Sequence, residues 1–512
     1  MHRFHEPVRE DFLKAEAPKW LLVLNAALAL TYFLVLAFLF PIGNWLLFSL
    51  LIFGEVFHIW QVLTFIFTIW DVKDPVLPLG GEDLGVDVFI TVAGEPLAIV
   101  EKTVTTALLM RYPDFKVHIL NDGLIAAKEQ WREIRTMAKR LGVHCITRVT
   151  RGGAKAGNIN NALSLSKKPL VAILDADHMP HADFLAKTAP YFREQRVGFV
   201  QTPQFYKNHA DNYITSSSWE QQEIFFGPIC RGKNRLNAVT MCGTNMLIRR
   251  EALLSVGGMC RDSIAEDFVT GLLMHARGYK SVYVPEVLAE GLATEDLSTY
   301  SKQQFRWARG ALDVIFRWNP LFMGGLSWAQ KIQYLSSASF YLSGVIVLID
   351  ALLPVIYFYT GLLPVRVSGM FLTAVFLPYF FSTLYTIVRA SNFTFTFPSL
   401  CFSMGSFTVH LRALYAAMTF SKSDFGITEK MRQNGNFFPL VAVHICYVAL
   451  VALGLECAFL REGLSASLIN NTAWALLNIG VFMPFIYAAL PEKKVPQESE
   501  ATAVRIETYA LP

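Results

Sequence analysis

An α/β domain set into an α-helical membrane domain of about six spans is the fold class this sequence predicts. Three observations carry it. Apolar stretches of membrane-spanning length lie at both ends of the 512-residue chain. A polar block, residues 71–334, separates them. Within that block short β-rich runs alternate with helical stretches, the pattern of a sheet layered with helices.

The composition supports a membrane protein. Hydrophobic residues make up 53% and charged residues 17%, against about a quarter charged in soluble domains, and the mean hydropathy is +0.37. The net charge of +4 is small and gives no argument for nucleic-acid binding. The seven cysteines (Cys145, Cys230, Cys242, Cys260, Cys401, Cys446 and Cys457) form no CxxC pair or zinc spacing and read as reduced thiols. The first apolar run follows a mixed-charge head with Arg3, Arg9, Asp11, Lys14, Glu16 and Lys19. It lacks a small-residue cleavage site and a second long run follows at once, so it reads as an anchor rather than a cleaved leader.

A helix needs about 20 apolar residues to cross a bilayer core. Six stretches qualify: 21–40, 45–70, 335–360, 367–388, 438–460 and 468–490. Their short connections hold few basic residues, Arg366 and Arg461, whereas 389–436 holds Arg389, Arg412, Lys422, Lys430 and Arg432. The positive-inside rule then places both termini and the polar block in the cytosol of a multi-pass protein of the plasma or inner membrane. The predicted organisation is a cytosolic segment 1–20, two spans in 21–70, the cytosolic domain 71–334 ending in amphipathic helices, two spans in 335–388, an interface helix and loop in 389–436, two spans in 437–490, and a short cytosolic tail 491–512. The apolar stretch 391–420 is broken by Pro398, His410 and Arg412 and reads as a helix lying at the interface rather than a seventh span. Glu55, Asp350 and Glu456 fall inside spans. Glu55 and Glu456 are expected to reach water from near helix ends. Asp350 lies deeper, where carboxylates usually face a polar path.

In the polar block, strands are expected at Val86–Val92, 116–120, near 143–149 and at 169–174, with helices over 96–110 and near 127–141. This alternation implies a parallel sheet covered on both faces, with ligands beyond the carboxyl ends of its strands. Asn121-Asp122-Gly123 and Asp175-Ala176-Asp177 both follow strands and so fall on that edge. Two carboxylates one residue apart can share a hard divalent cation whose shell substrate phosphates complete, although a polar loop with a helix cap has the same look. The glycines and lysine of Arg151–Asn158 suit phosphate binding ahead of a helix and equally a basic turn. Glu266 and Asp267 open a helical stretch, 268–278, where carboxylates serve as caps or where one could act as a general base toward an acceptor hydroxyl. Gln303, Arg306 and Trp307 share one face of a predicted helix over 298–318. There they could bind a diphosphate and stack on a pyranose, or simply sit at the membrane interface.

Taken in order, these pieces resemble the family 2 glycosyltransferases of the cellulose synthase type. The resemblance covers Val86 to Trp307 and rests on Thr91-x-x-x-Glu95, Asn121-Asp122-Gly123, Lys155-Ala156-Gly157-Asn158, Asp175-Ala176-Asp177, Gln201-Thr202-Pro203, Cys242-Gly243-Thr244, Glu266-Asp267 and Gln303-x-x-Arg306-Trp307. Downstream, Phe425-Gly426-Ile427-Thr428-Glu429-Lys430 is similar to the gating loop of bacterial cellulose synthase. The resemblance implies a Rossmann-like GT-A domain and an inverting, processive β-glycosyltransferase. It would use a UDP-sugar, UDP-glucose above others, with Mg2+ or Mn2+, and export a growing polysaccharide such as cellulose through its own spans, where an export or periplasmic partner subunit would receive it. It assigns Thr91, Glu95, Asp122, Lys155 and Asp175 to the nucleotide-sugar. Gln303 and Arg306 go to its diphosphate, and Asp175 and Asp177 to the metal. Asp267, beside Glu266, becomes the base, while Cys242, Gly243, Thr244 and Trp307 go to the acceptor and Phe425, Thr428 and Lys430 to the gate. The sequence departs from the family pattern at Ala265, where the family has threonine, at Val92-Ala93-Gly94 in the first motif, and at Asn121. Two spans rather than more precede the domain, and the tail leaves no room for a cyclic-di-GMP-binding PilZ domain. A non-processive relative, adding one sugar to a lipid or glycan acceptor, would share the donor site but lack the Gln303–Trp307 clamp. A transferase-like scaffold without activity would have lost the carboxylates that are present here.

Overall fold

The computed structural model describes residues 11–80, 83–421, 433 and 435–490. Among them, six helices are long and apolar enough to cross a membrane: Lys19–Leu39, Trp45–Ile69, Trp328–Thr360, Gly369–Ala390, Phe438–Glu462 and Ala466–Tyr487. Two precede the α/β domain and four follow it, which makes this a multi-pass membrane protein. The stretch around 391–420 forms two shorter helices, Phe397–Gly405 and Phe407–Met418. Pro398 occupies the first turn of one, where its missing N–H costs nothing. Neither helix reaches the length needed to span.

Four strands build the first half of the main sheet: β1 (Val86–Val92), β2 (Phe115–Asn121), β3 (His144–Thr147) and β4 (Leu170–Asp175). All four run parallel, in the order β3, β2, β1, β4. Every residue of β1 is buried, as expected for a strand covered on both faces. Phe89 enters the core on one face, and Val88 and Ile90 enter the core on the other.

The second half corrects the all-parallel expectation. Beside β4 the sheet continues with Met246–Arg249, then Val197–Gln201, then Lys280–Tyr283. The Met246–Arg249 strand is antiparallel to both neighbours. Its reversal has a purpose for the site. Because it enters the sheet at the edge where β4 leaves, the segment before it, Cys242–Thr244, arrives beside Asp175. A small second sheet of Met179–Pro180, Ala289–Gly291 and Phe205–Tyr206 braces the same edge.

The α/β domain is bolted to the second span. The Arg231 guanidinium holds Asp74 at 2.8 and 2.9 Å and donates to the Ala15 carbonyl at 3.0 Å. Arg235 donates to the Asp71 and Phe67 carbonyls at 3.0 and 2.9 Å. Between them Gly232 lies directly against the Thr68 carbonyl, with no space for a Cβ. A Gly232→Val substitution is therefore expected to destabilise the protein by about 1–3 kcal/mol, the usual cost of overpacking. A thermal melt in detergent checks this, and a Tm equal to wild type would contradict the contact.

Candidate functional site

The parallel register collects the first group of predicted residues at one edge. Thr91 pairs with both Leu120 and Asp175, and Val92 pairs with Asn121. The residues that follow these strand ends therefore emerge together. Thr91 Oγ1 donates to Asp175 Oδ1 at 3.2 Å. Glu95 folds back over its own turn, its Oε2 accepting from Ala93 N and Gly94 N at 2.7 and 3.1 Å. Asp122 is gripped by Arg148, with Nε to Oδ1 at 3.0 Å and Nη2 to Oδ2 at 2.6 Å, and both residues are buried.

Sequence reasoning missed Arg148. A signal for it existed: Asn121 pairs with Thr147, so the residues that follow the two strands must lie side by side. The same guanidinium also donates to the Gly152 and Ala154 carbonyls and so shapes the glycine turn. Gly157 packs against the Gly152 carbonyl and Arg148 with no room for a Cβ. The turn opens the Ala154–Leu165 helix, which aims Lys155 into the site.

Lys155 joins two halves of the site. Its Nζ donates to Asp175 Oδ1 at 2.5 Å and to the Gly243 carbonyl at 2.8 Å. Burial opposes its charge, but Asp175, then Glu266 and Asp267, outweigh burial and hold the ammonium above the ordinary lysine range. Burial likewise opposes the Asp175 charge, and Lys155 overcomes it, leaving that carboxyl below its usual range. The backbone N–H of Asp175 donates to Thr244 Oγ1 at 2.9 Å. Asp177 is 1% exposed and its Oδ2 accepts from Leu292 N at 3.3 Å.

The Cys242–Thr244 turn is held by Gln201. Its Oε1 accepts from Cys242 N at 2.9 Å and its Nε2 donates to the Thr244 carbonyl at 2.8 Å. Gly243 adopts φ +78°, and a Cβ there would sit 2.7 Å from Asp267 Oδ2. Glycine is thus required both for the backbone and for the close approach of the carboxylate. Burial pushes the Cys242 thiol up.

Glu266 and Asp267 form the first turn of the Glu266–Ala276 helix, which starts two residues before and ends two before the predicted stretch. Asp267 Oδ1 accepts from Phe268 N at 2.7 Å. Burial raises both carboxyls above their ordinary values, and for Glu266 the Asp267 charge raises it further. The Leu297–Arg317 helix carries Gln303, Arg306 and Trp307. Burial lowers Arg306 from its ordinary value, while Glu266, Asp175 and Asp267 oppose that and keep the guanidinium charged. The gate residues Phe425, Thr428 and Lys430 lie outside the described residues.

One cavity of about 970 Å3 begins at Asp267, Cys242 and Trp307 and continues into the helical domain, past Asp350, to Leu363 and Pro364. Those last two belong to the connection between the Trp328–Thr360 and Gly369–Ala390 helices. Of the two carboxylates expected near water, Glu456 is exposed, but Glu55 is 6% exposed. It sits near the middle of its helix, bonded by Tyr32.

Residues 85–310 match the family model described as glycosyltransferase like family 2, and residues 255–396 match that described as cellulose synthase. A UDP-forming cellulose synthase catalytic subunit of Pseudomonas fluorescens (strain SBW25) is 34% identical over 303 residues, which is 57% of this chain and 40% of that protein. Cellulose synthase 1 of Komagataeibacter xylinus is 30% identical over 435 residues, 80% of this chain and 27% of that protein. The chain thus spans less than half the length of these two relatives. Among solved structures, a mannosyltransferase from Pyrobaculum calidifontis in complex with GDP-Man and Mn2+ aligns with 84% of this chain and 99% of its own, at 15% identity and a TM-score of 0.46.

The Lys155 bridge is open to test without any assumption about turnover. Lys155→Met leaves Asp175, Glu266 and Asp267 facing one another without the ammonium. The expected loss of stability is about 1–3 kcal/mol, the cost of unpairing buried charge-assisted bonds. Because protonation relieves the repulsion, the deficit shrinks as pH is lowered. Unfolding curves at two pH values check both the size and the sign.

Proposed function

We propose that this chain, which matches the glycosyltransferase like family 2 model over residues 85–310 and the cellulose synthase model over residues 255–396, is an inverting, processive β-glycosyltransferase of that type. Its donor is a UDP-sugar, UDP-glucose above others, and its product a β-glucan such as cellulose. The observation that carries this reading is the continuous cavity from Asp267 and Trp307 to Leu363 and Pro364. A single-addition enzyme needs no such path. The sheet edge and both termini face the cytosol on this reading, and the polymer leaves beside the 361–368 connection, where an export partner would meet it.

The residues divide the work as follows. Thr91, Glu95 and Asp122 form the nucleotide side of the edge, with Lys155, Gln303 and Arg306 toward the diphosphate. Asp267 takes the proton from the acceptor hydroxyl. The freed oxygen attacks the anomeric carbon from the face opposite the leaving group, the bond to the diphosphate breaks, and UDP departs with the bonding pair. Glu266 stays beside the base, its own carboxyl raised by burial and by the Asp267 charge. Cys242, Gly243, Thr244 and Trp307 hold the acceptor end, Trp307 offering a ring face to a pyranose. Phe425, Thr428 and Lys430 close over the nucleotide.

A divalent cation suits this donor set. Among the described residues no three His, Cys, Asp or Glu side chains form a cation cage. Asp175 and Asp177 instead supply two hard oxygen donors at a strand end, the number typical where substrate phosphates complete the shell of Mg2+. Bound there, Mg2+ or Mn2+ supplies charge neutralisation for the departing diphosphate. Asp175 and Asp177 would hold the ion, and Lys155, which already reaches Asp175, would face the phosphates.

Asp267→Asn is expected to lower turnover by about 10²–10⁴-fold, the usual worth of a positioned base, with UDP affinity unchanged. Polymer synthesis and UDP binding measured on the same preparation check this, and substantial turnover would refute the assignment. A base works deprotonated, and burial raises the pKa of Asp267. Activity should therefore be lost on the acid side at a pH above the ordinary aspartate range. The Asp267 charge raises Glu266 and not the reverse, so Glu266→Gln should leave that acid limb in place. A kcat/KM profile for the two proteins gives the answer.

A further inference from the structure

Arg148 stands outside every motif, yet it is buried and all three of its guanidinium nitrogens are committed. Nε and Nη2 hold the two oxygens of Asp122 at 3.0 and 2.6 Å. Nη1 donates to the Gly152 carbonyl, and Nη2 donates also to the Ala154 carbonyl at 3.1 Å. One side chain thus ties the residue that follows the Phe115–Asn121 strand to the turn that opens the Ala154–Leu165 helix. The next residue along that helix is Lys155, which reaches Asp175 and the Gly243 carbonyl.

The turn needs a clamp. Gly152, Gly153 and Ala154 follow one another with φ of +123°, +70° and +40°. The two glycines adopt such angles freely. Ala154 does not, because left-handed backbone presses its Cβ toward a carbonyl oxygen, and a residue in that state persists only where its surroundings hold it. Residues 149–152 are exposed, so packing does little there. The hold comes from Arg148, whose planar fork can meet a carboxylate and two carbonyls at once, which a single ammonium on a flexible stem cannot do. Gly157 backs the fork, since a Cβ there would lie 2.4 Å from Arg148 Nη1 and 2.1 Å from the Gly152 carbonyl oxygen.

Resting on the transferase reading above, we infer that Arg148 is a positioning residue: it holds the strained Gly152–Ala154 turn so that Lys155 meets the diphosphate of a nucleotide whose nucleoside lies on the Asp122 side. The nucleoside end and the phosphate end of the donor are then gripped through one guanidinium, and losing its fork costs the phosphate grip while sparing the nucleoside grip.

Calorimetric titration of the full chain in detergent with Mg2+ tests this, with UDP and uridine as the two probes. Arg148→Lys keeps a cation on Asp122 but loses the fork that reaches the turn. It should weaken UDP about tenfold, the effect of one left-handed alanine no longer held in place, and leave uridine near the wild-type affinity. Adding Ala154→Gly, which removes the strain, should restore most of the lost UDP affinity. Ala154→Val, made with Arg148 intact, strains the same turn and should reproduce the loss for UDP alone, which decides the matter should Arg148→Lys not fold. Wild-type UDP affinity in Arg148→Lys or Ala154→Val, equal weakening of UDP and uridine, or no recovery with Ala154→Gly overturns the positioning role while leaving the transferase reading intact. A wild-type protein that binds no UDP overturns both.

Discussion

The site depends on one buried cation. Lys155 reaches from the glycine turn to the Asp175 carboxylate and the Gly243 carbonyl, beside the Thr244 hydroxyl that holds the Asp175 N–H. Asp175 ends a parallel strand and Gly243 precedes an antiparallel one, so the bond joins segments that enter the edge from opposite directions. With Gly243 fixed, Asp267 can approach to a distance that only glycine permits. Without the ammonium, three carboxylates from two elements would face one another in a buried space, and the arrangement would relax by protonation or separation.

The same electrostatics poises the chemistry. Burial raises Glu266 and Asp267, the direction that makes a carboxylate a better proton acceptor. Lys155 opposes that rise in both. The pocket opens toward the helices, so on the proposed reading an acceptor at Trp307 would have a continuous way onward. Gly232, packed on the Thr68 carbonyl, holds the α/β domain against the second span, and the Arg231–Asp74 pair fastens it to the segment that follows.

Much of this could be read from the chain. Val86–Val92 matched its strand residue for residue because a fully buried parallel strand is rich in apolar β-branched and aromatic residues, here interrupted only by Asp87 and Thr91. Asp122 and Asp175 fell on the ligand edge because parallel neighbours in register end together. The direction of Met246–Arg249 could not be read, since periodicity reports burial and not polarity, and its four residues are too few to separate from a loop. Arg148 escaped because it belongs to no motif and acts through a neighbour far away in sequence. Glu55 was misplaced for a related reason. Its position in a span says nothing of Tyr32, the partner that lets it remain inside.

The central claim is that chemistry at Asp267 feeds a polymer through the cavity to the other side of the membrane. Proteoliposomes with the sheet edge outward, given labelled UDP-glucose and Mg2+ from outside, test it directly. The account predicts UDP released outside and glucan inside, resistant to an added glucanase until detergent is supplied. Glucan digested without detergent would contradict it.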